Sequence, residues 1–256
     1  MTTYQNYING QFIDAADTHD VINPSTGQVL AHAPSSDIAA VNEAVAAAKA
    51  AQVHWAELPN IERAGYLTAI AAKLRDNVDR FARYLVEEQG KVQALAEVEV
   101  SFTADYFDYM AGWARRLEGE VIPSDRPGEM IFLTYDPIGV VGGILPWNFP
   151  FFLIARKMAP ALLTGNTIVI KPSMETPINA FEFCKIVDEV GLPAGVFNMV
   201  GGSGRKIGEA LTTHPDVGLI SMTGSVDVGK RIMEQAGSTL TRVNLELGGK
   251  APAIVL

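Results

Sequence analysis

Residues 139–173, GVVGGILPWNFPFFLIARKMAPALLTGNTIVIKPS, dictate an order of strand, stiff turn, helix and strand. Residues 139–144 are a short β-branched apolar run, the signature of a strand buried on both faces. Pro146 and Pro150 flank Trp147, Asn148 and Phe149, and two prolines so placed forbid both a ladder and a helix across the turn. A helical pattern runs from Phe151 to Leu163, where Gly165 and Asn166 stop it. Residues 166–170 form a second strand that ends in Lys171-Pro172-Ser173. Trp147 and Asn148 are thereby fixed at the carboxyl end of a buried strand, the place where open α/β sheets bind ligands.

The same rhythm continues downstream. Helices are expected over about 179–190, 205–212 and 225–235, and strands near 195–200, 217–222, 242–245 and 251–256. Such alternation specifies an α/β fold with a doubly wound, Rossmann-like parallel sheet. Upstream, Asn9-Gly10 suits a type I′ turn in a tight hairpin over 7–13, and Asn23 to Gly27 forms a second turn. Ser35-Ser36-Asp37 can cap an alanine-rich helix to about Val53. A second helix capped by Asn60 carries Leu67, Leu74, Phe81 and Leu85 at helical spacing. A third presents Leu95, Val98, Phe102, Tyr106, Tyr109 and Trp113 on one stripe, a spacing that predicts core packing. Residues 119–137 break the pattern as a protruding β-hairpin arm with open edges.

Several residues suit chemistry. Gly224-Ser225 opens a helix after a strand, either as an ordinary cap or as a phosphate site on free N–H groups. Gly202, Gly204 and Gly208 give G-x-G-x-x-x-G, one residue longer than the dinucleotide fingerprint. Lys171 ends a strand, where its ammonium can reach ribose hydroxyls or simply be solvated. Asn148 can donate to a developing oxyanion or cap the helix beyond Pro150. Glu246, between Leu245 and Leu247 and before Gly248-Gly249, is a candidate general base. Phe149, Phe152 and Arg156 fall on one helical face, with Arg156 free either to read a polar substrate or to pair elsewhere.

PWNFP, the strand ending KPS, TGSVDVG and ELGGK occur in this order across essentially the whole chain, which thereby resembles the aldehyde dehydrogenases, most closely their bacterial lactaldehyde/glycolaldehyde branch. The resemblance implies NAD(P)-dependent oxidation of a small hydroxyaldehyde to the acid. It implies Asn148 as oxyanion donor, Glu246 as base and Lys157 as an aid to proton transfer. Leu145, Trp147, Lys171, Ser173, Met174, Gly204, Gly208, Gly224, Ser225, Gly229, Glu246, Leu247 and Gly248 would hold the cofactor. Phe149, Phe152 and Arg156 would line the aldehyde tunnel. Met174 stands where the commonest family form has an acid three residues after the lysine. That acid favours NAD and its loss removes a charge that would repel a 2′-phosphate, but Glu175 one place on can substitute for it, so NAD is expected with NADP as the alternative. The 119–137 hairpin would pair subunits of a homo-oligomer, leaving 1–118 and 138–256 as the dinucleotide-binding domain.

The net charge of −9 at pH 7 argues against a nucleic-acid partner. Neither a secretory signal nor a membrane span is apparent, and a single cysteine fits a reducing cytoplasm. No metal site is expected. Cys184 lies mid-helix among apolar residues, and the nucleophile of the resembled family falls in a catalytic domain beyond ELGGK. The expectation is a cofactor-binding portion inactive alone; the alternative is a non-enzymatic dinucleotide-binding or subunit-associating module.

Overall fold

In the computed structural model, which describes residues 1–255, the 139–173 unit becomes the middle of a seven-stranded sheet. The amino-terminal strands are β1 (Thr2–Thr3), β2 (Asn6–Ile8), β3 (Gln11–Ile13), β4 (Thr18–Ile22) and β5 (Val29–Pro34). Four helices follow: α1 (Ile38–Glu57), α2 (Asn60–Arg75), α3 (Val78–Gln89) and α4 (Gln93–Ala111). The arm is β6 (Glu120–Pro123) and β7 (Met130–Leu133). The alternating part runs β8 (Val140–Ile144), α5 (Pro150–Leu163), β9 (Thr167–Lys171), α6 (Ile178–Val190) and β10 (Phe197–Met199). A π-helical turn, Gly204–Gly208, leads into α7 (Glu209–Thr212), then β11 (Val217–Gly224), α8 (Val226–Ala236) and β12 (Arg242–Leu247).

The main sheet has the order β12-β11-β8-β9-β10-β2-β3, parallel from β12 to β10 and closed at one edge by the antiparallel β2–β3 hairpin. Asn9 (φ 52) and Gly10 (φ 72) both take the left-handed conformation of a type I′ turn. Helices α5 and α6, backed by α2 to α4, cover one face; α1, α7 and α8 cover the other. Every residue of β8 and β9 is buried, as a doubly covered strand requires. The arm pairs only with itself, and Val121, Met130 and Phe132 stand exposed on it.

Four expectations need correction. The helix begun at Asn60 is two helices, broken at Asp76-Asn77, where the Asn77 amide turns back to the Lys73 carbonyl at 2.9 Å. Asn60 is also no cap: its side chain accepts from Arg63 instead. The stripe from Leu95 to Trp113 is not the core face of α4. Leu95, Val98, Phe102 and Tyr109 are exposed, and the helix buries Ala96, Glu99, Val100, Thr103, Ala104 and Phe107. Residues 251–255 form no strand and are exposed, and Leu256 lies outside the described residues.

Candidate active and cofactor site

An open cleft of about 840 Å³ lies at the carboxyl ends of β8, β9, β11 and β12. Its wall contains Leu145, Trp147 and Asn148 after β8, and Lys171, Ser173 and Met174 after β9. Gly204, Gly224, Ser225, Glu246, Leu247 and Gly248 join them, whereas Gly208 and Gly229 of the expected set are not on the wall. Five separate segments are thus brought to one place by the parallel sheet. Pro146 of the stiff turn and Glu175, next to Met174, line it too, as do Thr223 and Val228, to which the sequence assigns no role.

Ser225 caps α8: its Oγ accepts from the Val228 N–H at 3.3 Å, leaving the hydroxyl proton free to donate. The first N–H groups of α8 face the same end, so the cap reading holds and leaves donors at that end unspent. A Cβ on Gly204 would meet no protein atom within 4 Å, and one on Gly208 would make only ordinary contacts at 3.9 Å with Ile144 and Lys171. Protein packing does not demand glycine at either position. Gly201 and Gly202 differ, because a Cβ would reach 2.7 Å from Pro34 O and 2.3 Å from Ile207 Cδ1, respectively. Gly229 lies outside the cleft; its missing Cβ lets α8 close on Leu247, which a side chain would meet at 2.6 Å.

Lys171 is 5% exposed and donates from Nζ to the Pro172 carbonyl at 2.6 Å and the Gly202 carbonyl at 3.3 Å. No carboxylate pairs with it among the described residues. Burial therefore pushes its ammonium down to about 8. A buried cation bordering a cleft, with a proton to spare, fits a polar or anionic ligand such as a nucleotide. Ser173 Oγ accepts from the Glu175 N–H at 3.2 Å, and His19 Nε2 lies 3.1 Å from the Met174 carbonyl.

Helix α5 brings the remaining residues near one another. Lys157 Nζ donates to Ser221 Oγ at 3.2 Å and Thr223 Oγ1 at 3.0 Å. Burial, with Arg156 alongside, lowers the Lys157 ammonium to about 8, against the opposing influence of Glu246. Arg156 Nη2 lies 3.3 Å from Glu246 Oε1, so the candidate substrate reader and base face each other. Both are about half exposed, and Glu246 does not sit in the apolar setting its neighbours in sequence imply. Phe152 is buried under Phe102, at 4.6 Å between ring centroids, and packs edge-on to Phe149 at 5.4 Å. Phe149, just before α5, and Phe152, Arg156 and Lys157 on it are not among the residues lining the cleft.

Glu99 was missed. Its buried carboxylate accepts from the Phe151 N–H at 2.9 Å and the Phe152 N–H at 3.1 Å, capping α5 from another helix. Asn148 therefore does no capping, and its side-chain amide has no hydrogen-bond partner among the described residues. An acidic residue in phase with Ala96, Val100, Thr103 and Phe107 is the signal that marks Glu99 in the sequence. Cys184 is fully buried, its thiol bonded to the Ala180 carbonyl at 3.3 Å and raised well above the usual range by desolvation.

The Aldehyde dehydrogenase family model matches residues 12–256. Lactaldehyde dehydrogenase of Escherichia coli (strain K12) is 58% identical over 252 residues, which are 98% of this chain and 53% of that protein. A crystal structure of the E. coli lactaldehyde dehydrogenase superposes at a TM-score of 0.96 and 56% identity, covering 98% of this chain and 53% of the other. A structure of 3,6-anhydro-L-galactose dehydrogenase in complex with NAP superposes equally well, at 0.96 and 40% identity, again over 98% and 53%. The chain spans about half the length of the curated relatives it matches.

Proposed function

The chain belongs to the aldehyde dehydrogenase family, and from this we propose that it forms the cofactor-binding part of an NAD(P)-dependent oxidation of a small hydroxyaldehyde to its acid. One observation carries the reading: Asn148, Lys171, Ser225 and Glu246, from distant segments, line one cleft at the carboxyl ends of the parallel strands. In this reading 1–118 and 138–256 make the dinucleotide-binding domain and 119–137 the subunit-pairing arm.

Ser225 and the α8 N-terminus would hold the pyrophosphate, with Gly204 and Gly208 leaving space for the adenosine half and Lys171 donating to its ribose. The bound nicotinamide supplies a hydride acceptor. NAD is the preferred form we propose; Met174 carries no charge, which leaves NADP open as a second ligand, and Glu175 on the same wall disfavours a 2′-phosphate. Leu145 and Trp147 flank the nicotinamide end.

Asn148 donates to the carbonyl oxygen as negative charge builds on it, a contribution of about 3 kcal/mol for one fixed donor. Glu246 accepts the proton of the attacking group, and Lys157, whose ammonium titrates at about 8, exchanges protons nearby through Thr223. Arg156 reads a hydroxyl or carboxylate on the substrate, exchanging it for Glu246. The thiol of Cys184 reaches none of this. We therefore expect these residues alone to bind cofactor without turning over aldehyde. No helix among the described residues is long and apolar enough to cross a membrane. For the free thiol we propose a reducing cytoplasm.

Calorimetric titration with NAD and then NADP tests the reading, with Ser225→Asp as the control. Saturable binding lost in the variant is the expected result. A cooperatively folded chain that binds neither nucleotide would overturn it.

A further inference from the structure

Three side chains around the α3–α4 connection close on the turn that carries Asn148. Gln89, the last residue of α3, donates from Nε2 to the Trp147 carbonyl at 3.0 Å and to the Asn148 carbonyl at 2.6 Å. Lys91 Nζ donates to the same Asn148 carbonyl at 3.3 Å and lies 4.5 Å from the centre of the Phe149 ring. Lys91 also pairs with Glu99, whose other oxygen takes the first N–H groups of α5. Carbonyls before Pro150 and amides after it are thus held by one connected set.

The set costs something to keep. Glu99 is fully buried and the Lys91 side chain only 11% exposed, so the pair is drawn largely out of water and must be well hydrogen-bonded to be kept. Gln89 leaves its own Oε1 buried without a partner in order to donate twice. A helix start needs no such machinery, because a Ser, Thr, Asp or Asn immediately before it commonly supplies a cap. Here the cap comes from another helix instead, and the Asn148 amide is left unspent on the cleft wall.

We propose that Gln89, Lys91 and Glu99 are positioning residues that fix the backbone from which the Asn148 side chain projects, so that this donor is placed at the cleft before any substrate arrives. The proposal rests on the oxyanion reading of Asn148 given above. Its physical basis is preorganisation: a donor stabilises a developing charge fully only when it need not be reoriented during the reaction.

The test is the side-chain order parameter of the Asn148 Nδ2 amide, measured by nitrogen-15 relaxation on the whole chain. Gln89→Leu, Lys91→Met and Lys91→Arg are compared, each with its melting temperature and NAD titration. The order parameter should fall by about a third in Gln89→Leu and Lys91→Met and recover in Lys91→Arg. Cofactor affinity should stay within about threefold. Gln89→Leu removes no charge and remains informative if Lys91→Met fails to fold. An Asn148 amide equally ordered in parent and Gln89→Leu would overturn the proposal. Loss of order with a parent that binds no nucleotide would sink the cofactor reading and leave the positioning role standing.

Discussion

Glu99 Oε1 accepts the Phe151 N–H at 2.9 Å across 52 residues of sequence, and this contact joins α4 to the start of the helix beside the cleft. Replacing Glu99 with Leu strands two helix N–H groups and leaves Lys91, its side chain 11% exposed, without its carboxylate partner. Breaking a buried pair of this kind costs about 3 to 5 kcal/mol. Glu99→Leu should lose roughly that much in urea denaturation, and Glu99→Gln about half, since the amide oxygen still accepts.

Neighbouring glycines should separate stability from binding. Gly201→Ala would drive a Cβ to 2.7 Å from the Pro34 carbonyl oxygen, a backbone atom that cannot step aside. A loss of about 1 to 3 kcal/mol is expected. Gly204→Ala should change stability by less than about 0.5 kcal/mol, because nothing lies within 4 Å. Gly204→Val fills the open space and should weaken NAD binding by at least about tenfold, some 1.4 kcal/mol, in calorimetry.

Lys171 titrates at about 8, so nucleotide affinity should depend on alkaline pH. Below that value the ammonium keeps a proton for the ligand; above it that charge is lost. NAD binding should weaken as pH rises from 7 to 9, and Lys171→Met should bind about tenfold less tightly with a flat profile. An unchanged profile in the variant would assign the pH dependence to another group.

Glu88 caps α6 through the Ile178 N–H at 2.7 Å and the Asn179 N–H at 2.9 Å, yet burial outweighs these bonds and raises its carboxyl from 4.5 to about 7. Between those values the folded chain holds a proton that the unfolded chain has released. Its contribution to stability is therefore full below about 4.5 and lost as pH climbs to 7, on the order of 3 kcal/mol. The stability difference between the parent and Glu88→Gln, followed by urea denaturation at several pH values, should shrink by that order over this window.

Much of the site was legible because its signals are local. Prolines around Asn148, the glycine and serine before α8 and the strand ends at Lys171 and Glu246 each follow from neighbours in the chain. The stripe on α4 was misread because Leu95, Val98, Phe102 and Tyr109 share helical spacing with a parallel stripe one position on. Spacing alone gives two faces, and only packing says which is buried. Glu246 was likewise placed among apolar neighbours, although alternate residues of a strand face opposite sides.

Local steric and hydrogen-bonding rules are written into short stretches, so the sequence by itself determined the alternating α/β order, the stiff turn at Asn148 and the helix opening at Ser225. Only the tertiary structure decided who holds whom: Glu99 on α5, Gln89 and Lys91 on the Asn148 carbonyl, Arg156 against Glu246. Those contacts join residues tens of positions apart, and their partners are chosen by which surfaces the sheet and helices bring within 3 to 4 Å, a distance no spacing rule along the chain contains.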